Sequence, residues 1–185
     1  IDEGASRTSE IVHGLRTFSR LDEGEFKESD IQEGLDSTLA LLNSKVGDRI
    51  SIRKDYADLP MVYCNGGKLN QVFMNLMSNA LFAIEKNLND GHIDQGELLI
   101  RTKKSRSSTL IELEDNGCGM SKEPRQKIFE PFFTTKDVGE GTGLGLSIAY
   151  TILQQHHARV EVRSELTKGS RFRITLPKNI RALIS

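Results

Sequence analysis

Four short segments carry residue types able to hold a charged, flat-ringed ligand, and they follow one another along the chain. The first holds Asn75 and Asn79, four residues apart inside an apolar stripe, so both fall on one helix face. Asparagine is an indifferent helix former. Two of them beside Leu76, Met77 and Ala80 suggest a polar task, with two solvated side chains as the plain alternative. An amide oxygen is the hard kind of ligand that Mg²⁺ takes together with water and phosphate oxygens. The second segment is Asp115-Asn116-Gly117-Cys118-Gly119-Met120, directly after a strand-like run. An Asp at a strand end, with glycines behind it, can accept a hydrogen bond from an amine such as adenine's and leave room for a ring. The same residues also make a good turn.

The third segment runs from Phe129 to Lys136 and puts three of the eight phenylalanines within five residues. Aromatics on a loop can close over a ligand, and Lys136 can reach a phosphate. A satellite apolar cluster beneath a long loop is the alternative. The fourth is Gly139-Glu140-Gly141-Thr142-Gly143-Leu144-Gly145-Leu146, leading into a helix. Glycine lets backbone approach a ligand closely, and a helix start offers free N–H groups and a positive dipole end to phosphate. A flexible hinge has the same composition. The segment is no Walker A loop, since no Gly-Lys-Ser/Thr follows. It is no dinucleotide fingerprint either, since the third glycine is missing and no strand leads in.

The elements that must position these segments can be read from periodicity. Residues 2–21 carry a helical stripe of Ile11, Val12, Leu15 and Phe18, followed by a polar linker at 22–29. Ser29 is the expected N-cap of a second helix over 30–47. A strand is expected at Ile50 and Ile52, reaching toward Tyr56, and a short one over 61–64. A long helix is expected over 66–86 with a polar loop at 87–96, then strands over 97–104 and 108–115. An irregular stretch over 116–142, a helix over 143–156 and strands over 158–164 and 170–176 complete the chain. This order implies one mixed sheet of about five strands with helices on one face, an α+β two-layer arrangement preceded by an N-terminal helix.

The bulk composition excludes several functions. With 185 residues, 37% hydrophobic and 28% charged, the chain suits one folded domain and a short extra piece. A formal net charge of -1 gives no electrostatic reason to expect a nucleic-acid partner. No apolar run approaches the roughly 20 residues of a membrane span. Cys64 and Cys118 make neither a metal motif nor a disulfide framework, which fits a reducing, cytoplasmic setting. The chain opens on Ile1, and we expect it to be a piece of something longer, with any membrane segment or sensor domain outside it.

Taken together, the four segments resemble the N, G1, F and G2 boxes of the GHKL superfamily of histidine kinases, type II topoisomerase ATPases, heat-shock-90-type chaperones and mismatch-repair ATPases. NQVFMNLMSNA, DNGCGM, FEPFFTTK and GTGLGLSI are similar to the versions in sensor histidine kinases. The resemblance implies a Bergerat-type ATP-binding fold with ATP and Mg²⁺ as cofactors. It divides the chain into 1–28, the end of a dimerisation and phosphoacceptor domain; 29–180, the catalytic domain; and 181–185, a tail. By similarity, Asn79 would coordinate Mg²⁺ and Asn75 would lie beside the phosphates. Asp115 would bind the adenine amine, with Gly117 and Gly119 shaping that pocket. Lys136 would meet a phosphate, while Gly141, Thr142, Gly143, Leu144, Gly145 and Leu146 wrap the triphosphate, and Ser170 would assist adenine through water.

The resemblance also implies a reaction. The ATP-hydrolysing cousins carry a water-activating Glu where this chain has Asn75, and an amide is no general base at neutral pH. Phosphoryl transfer to a His, then relay to a response regulator receiver domain, is therefore expected over fast hydrolysis. The alternatives are a GHKL ATPase, an anti-sigma-type serine kinase or a non-catalytic nucleotide-sensing scaffold. Many kinases of the family have Lys three residues after the second Asn, but this chain has Phe82. None of His13, His92, His156 and His157 is followed by an acid as a phosphoacceptor usually is. The acceptor is thus expected on the chain's own dimerisation domain, in a homodimer of the full protein.

Overall fold

The computed structural model describes residues 25–136, 141–178 and 180–184. The helix expected over 2–21, with His13, lies outside them, as do Gly139 and Glu140.

The described chain opens with β1 (Lys27–Ser29) and α1 (Ile31–Leu42), followed by a 3-10 turn at Asn43–Lys45. Asp30, not Ser29, caps α1: its carboxylate accepts from the N–H groups of Gln32 at 2.8 Å and Glu33 at 3.2 Å. Ser29 is unavailable because it belongs to β1 and its hydroxyl donates to Lys27 O. Next come β2 (Ile50–Asp55), β3 (Val62–Cys64) and α2 (Gly66–Asn89). β2 stops before Tyr56, whose hydroxyl instead bonds Asp36 on α1 at 2.9 Å. α2 runs past the expected end at 86, because its last turn buries Asn87 and Leu88.

The chain continues through β4 (Gly96–Lys104), β5 (Ser108–Asp115) and a short α3 (Lys122–Lys127) inside the stretch expected to be irregular. It then forms α4 (Gly145–Gln155), β6 (Arg159–Glu165), β7 (Gly169–Pro177) and a terminal turn of helix, α5 (Ile180–Ile184).

Five strands form one sheet in the order β2-β4-β5-β7-β6, with β2 parallel to β4 and the other neighbours antiparallel. The expected mixed, five-stranded, two-layer α+β fold is the one observed. β1 and β3 form a separate two-stranded ribbon that the sequence did not suggest.

Strict alternation gives the sheet two faces. Leu98, Ile100, Ile111, Leu113, Phe172, Ile174 and Leu176 are buried with the apolar faces of α2 and α4 in one core. The other face is polar. There Glu112 is nearly fully buried beneath arginines, accepting from Arg101 at 2.8 Å and Arg173 at 3.0 Å. Burial pushes its carboxyl upward, but the arginine hydrogen bonds and charges outweigh this and hold it below the ordinary value.

α2 is the spine. Its stripe of Leu69, Val72, Phe73, Leu76, Met77, Ala80 and Ile84 fills the core, and Asn65 caps it by accepting from Lys68 N at 3.1 Å. α4 is fastened to it at both ends. Asn65 N–H donates to His156 Nε2 at 3.1 Å, and Asn75 Nδ2 donates to Gly145 O at 2.8 Å. His156 is fully buried, with Nδ1 2.8 Å from Ile152 O. These partners specify a neutral ring with the proton on Nδ1. Burial lowers its pKa, in keeping with that.

Candidate functional site

One face of α2 presents Asn75, Asn79 and Phe82 about one turn apart. Residues 141–146 of the glycine-rich segment run along this face, held at Gly141 and Gly145. Gly145 is bonded to Asn75. Gly141 lies against Lys136, so that a Cβ on it would sit 3.0 Å from Lys136 Cδ. Lys136 Nζ stands 4.0 Å from the centroid of the Phe82 ring. Asn79 lies between these two fastenings, half-buried, and its side chain makes no hydrogen bond to another described residue. Its amide is the group there able to serve a ligand.

At the phosphate-binding end expected from sequence, the side chains of Leu144 and Leu146 pack with the core. Backbone is what these positions offer a ligand. Leu144, at the N-cap of α4, makes no side-chain capping bond. Thr142 Oγ1 supplies a substitute by accepting from Leu144 N at 3.3 Å. Gly143 is in the left-handed region at φ 70, and a Cβ there would overlap the backbone of Phe132. The turn between Phe132 and the glycines thus depends on glycine.

The other end is built from three loops that interlock. Asp115 closes β5 with only 6% of its surface exposed. Its Oδ1 accepts from Gly117 N at 2.8 Å and Ser170 N at 3.3 Å. Burial pushes its carboxyl up to about 6, against the lowering effect of those two N–H groups. Gly117 rests on α2, where Cys118 N donates to Ala83 O at 2.9 Å. Gly119 and Gly169 have positive φ, and a Cβ on either would overlap a carbonyl, of Glu165 or of Asp115. Ser170 Oγ lies 2.9 Å from Ser164 Oγ, which also accepts from Met120 N at 2.8 Å.

Sequence reasoning missed one residue that organises this end. Asn87, expected to open a polar loop, is fully buried on α2. Its Nδ2 reaches Asn116 O at 2.9 Å, Gly117 O at 3.1 Å and Thr167 O at 3.3 Å, joining the Asp115 turn to the β6–β7 turn. Its helical spacing from Ala80 and Ile84 was the available signal. Phe82 and Lys136 also line a cleft of 720 Å³ with Lys45, Arg49 and Glu85. Among the described residues no three His, Cys, Asp or Glu side chains gather to hold a metal.

A family model described as histidine kinase-, DNA gyrase B-, and HSP90-like ATPase matches residues 64–180, the span that contains all four segments. The chain belongs to this family. Within the family it carries a catalytic domain of the sensor-histidine-kinase type, a domain that binds ATP. The sensor kinase CckA of Brucella abortus (strain 2308) is 36% identical over 188 residues, covering 97% of this chain and 20% of the relative. Full-length ShkA in complex with AMPPNP superposes with a TM-score of 0.78 at 25% identity, over 95% of this chain and 36% of that one. Histidine kinase ThkA in complex with the response regulator protein TrrA superposes at 0.75 over 96% of this chain and 49% of that one. At 24% identity that likeness is one of fold. The chain spans a fifth to a third of the length of the curated relatives it matches. Among the described residues no helix is long and apolar enough to cross a membrane.

Proposed function

We propose that this chain binds Mg²⁺–ATP along α2 and transfers the γ-phosphoryl group to a histidine on a dimerisation domain, for relay to a response regulator. The observation that carries this reading is the alignment on α2. Asn79 lies between the two fastenings of the glycine loop, and the buried Asp115 pocket adjoins the same helix at Ala83. The base would take its hydrogen bond at Asp115, with Ser170 assisting through water and Gly117 and Gly119 leaving room. Residues 141–146 and the start of α4 would receive the phosphates, with Lys136 meeting one of them.

The site suits Mg²⁺ held mainly by phosphates and water. Asn79 offers one amide oxygen with no described partner, and no carboxylate cage surrounds it. Bound there, the ion would neutralise charge on the phosphates. In the transfer, the bond from the γ phosphorus to the β–γ bridging oxygen breaks and a phosphorus–nitrogen bond to imidazole forms. ADP leaves and the imidazole gives up its proton. Asn75 supports transfer over hydrolysis, since its amide is committed to Gly145 O and is no base.

The acceptor is a separate group. His156 is buried with both ring nitrogens bonded. We assign residues 1–28 to the end of the dimerisation domain, 29–180 to the catalytic domain and 181–185 to a tail. The TrrA complex of ThkA supports a receiver domain as the onward partner.

The test is calorimetry with a non-hydrolysable ATP analogue, with and without Mg²⁺, beside Asn79→Ala. Magnesium-dependent binding weakened at least about tenfold by the substitution is expected, in line with loss of a metal ligand. A folded chain that binds no nucleotide would overturn the reading. Labelling of its own His13 by the isolated chain would overturn the separate acceptor.

A further inference from the structure

On the helix-facing side of the sheet, one row of register partners runs Leu98–Asp115–Ser170–Ser164 across β4, β5, β7 and β6. Asp115 and Ser170 belong to the pocket proposed for the base, and Ser164 stands next to them on an edge strand. We infer that Ser164 is a positioning residue for base selection: it accepts a hydrogen bond from the Ser170 hydroxyl, so that Ser170 faces the base as an acceptor beside Asp115 and the pocket favours a 6-amino over a 6-oxo purine. The inference rests on the nucleotide reading above and deepens it to which base is chosen.

A count of protons carries it. Ser164 Oγ makes three contacts: Met120 N donates to it at 2.8 Å, Gly169 O lies at 3.1 Å and Ser170 Oγ at 2.9 Å. A hydroxyl has one proton and two lone pairs. A carbonyl cannot donate, so the Ser164 proton goes to Gly169 O. One lone pair takes the Met120 N–H, and the contact between the two serines must then use the Ser170 proton. Ser164 is fully satisfied, and Ser170 keeps only lone pairs for any further partner. The backbone of Ser164 is held as well, its carbonyl accepting from Arg125 Nη1 on α3 at 3.2 Å.

Asp115 presents the same sense. Its Oδ1 takes the N–H groups of Gly117 and Ser170, while Oδ2 has no hydrogen bond to a described residue. Asp115 is 6% exposed and Ser170 8%, so an acceptor brought against them has little water to relieve it. A 6-amino group donates to this pair. A water bridging the two and donating to both would likewise keep only lone pairs for the base. A 6-oxo purine sets its carbonyl oxygen against these acceptors. Without Ser164, the Ser170 hydroxyl is free to turn toward the base, and the pocket gains a donor that a 6-oxo group can use.

Calorimetry with Mg²⁺ at pH 8, where Asp115 is ionised, tests this with adenosine and inosine diphosphates, which differ at this edge of the base. The wild-type chain should prefer the adenosine form at least about tenfold, since the inosine form leaves acceptors unpaired. Ser164→Ala should shrink that preference roughly fivefold, the value of one neutral hydrogen bond, chiefly by tightening inosine diphosphate. Ser164→Cys, close in shape and a weaker acceptor, should shift it the same way by less, and serves if the alanine variant does not fold. Ser164→Thr, which retains the hydroxyl, should keep the wild-type preference. In a Ser170→Ala background, Ser164→Ala should leave the preference unchanged, because no hydroxyl remains to redirect. A Ser164 that only supports the fold would weaken both nucleotides alike. That result, or a shift that persists without the Ser170 hydroxyl, would overturn the inference. A wild-type chain that binds the two diphosphates equally would overturn it as well, leaving the nucleotide reading in place. A folded wild-type chain that binds neither would overturn the nucleotide reading and this inference with it.

Discussion

The two ends of the α2 face are built differently. At the Asp115 end, the polar groups are fixed by contacts between distant segments. Asn87 holds two turns, Asp115 takes two backbone N–H groups, and the glycines at 119 and 169 let three loops interlock. At the Lys136 end, Thr134, Thr135 and Phe132 are exposed, and Thr134 and Thr142 bond residues two positions away. Its described ties to α2 are Asn75 with Gly145 and Phe82 with Lys136. Long-range contacts define a position before a ligand arrives, whereas local turns leave it to the ligand's charge. The Asp115 end, proposed for the base, is thus preorganised, and the Lys136 end, proposed for the phosphates, would take its definition from what it binds.

Glycine substitution should expose the contrast most strongly. Gly169→Ala places a Cβ into the carbonyl of Asp115 at a positive φ, and Gly119→Ala does the same against Glu165. Each should cost ~3 kcal/mol or more of stability in denaturant melts, the range of backbone strain plus overpacking. Gly141→Ala meets only the exposed side chain of Thr134 and the stem of Lys136, and should shift stability by less than ~0.5 kcal/mol. Equal losses at both ends would remove the contrast.

A somewhat smaller effect, and one that depends on pH, follows from Asp115. Its carboxyl has a folded value of about 6 against an ordinary 3.8. The stability it contributes is fully present below the unfolded value and is lost as pH rises through about 6. Above that, the fold carries a buried carboxylate. Asp115→Asn should therefore raise stability by ~2–3 kcal/mol at pH 8, and the gain should disappear by about pH 4. The same change should weaken ATP binding, since it exchanges a carboxylate for a poorer acceptor. Wild-type ATP affinity should likewise fall as pH drops below about 6. Melts and calorimetry across pH measure both. A variant that loses stability at pH 8 would mean the carboxylate is held by charge and not strained by burial.

The same contrast explains what could be read from the sequence. The spacing from Leu69 to Ile84 announced α2, and alternation in 108–115 and 170–176 announced the central strands, because burial on one face leaves a period in the chain. Asn75 and Asn79 stand out as polar residues inside the α2 stripe, and most of the other residues proposed for the site sit in short glycine-rich runs, visible as departures from that period. Asn87 carried only its helical spacing from Ala80 and Ile84; a buried amide that binds three carbonyls has no signature of its own type, and beside Asn89, Asp90 and Gly91 it looked like loop. β1 was missed because it has three residues and pairs only with the distant β3. The cap moved from Ser29 to Asp30 because that pairing draws Ser29 into the ribbon. Likewise the Phe82–Lys136 contact joins segments whose meeting only the fold reveals.

The smallest expected effect tests the phosphate end from within. The Thr142 hydroxyl accepts from Leu144 N at a helix start that has no other side-chain cap. Thr142→Ala should cost ~0.5–1 kcal/mol in the free chain, the usual effect of losing a weak cap. A bound phosphate is itself an acceptor for N–H groups at that helix start. The loss should therefore shrink in melts run with saturating Mg²⁺ and ATP analogue, because the ligand supplies what the hydroxyl had. No such replacement exists at the base end, where the Asp115 carboxylate serves Gly117 and Ser170 whether or not a base is bound. A Thr142→Ala loss near 3 kcal/mol, or one that nucleotide leaves unchanged, would show the phosphate end to be as firmly preset as the other.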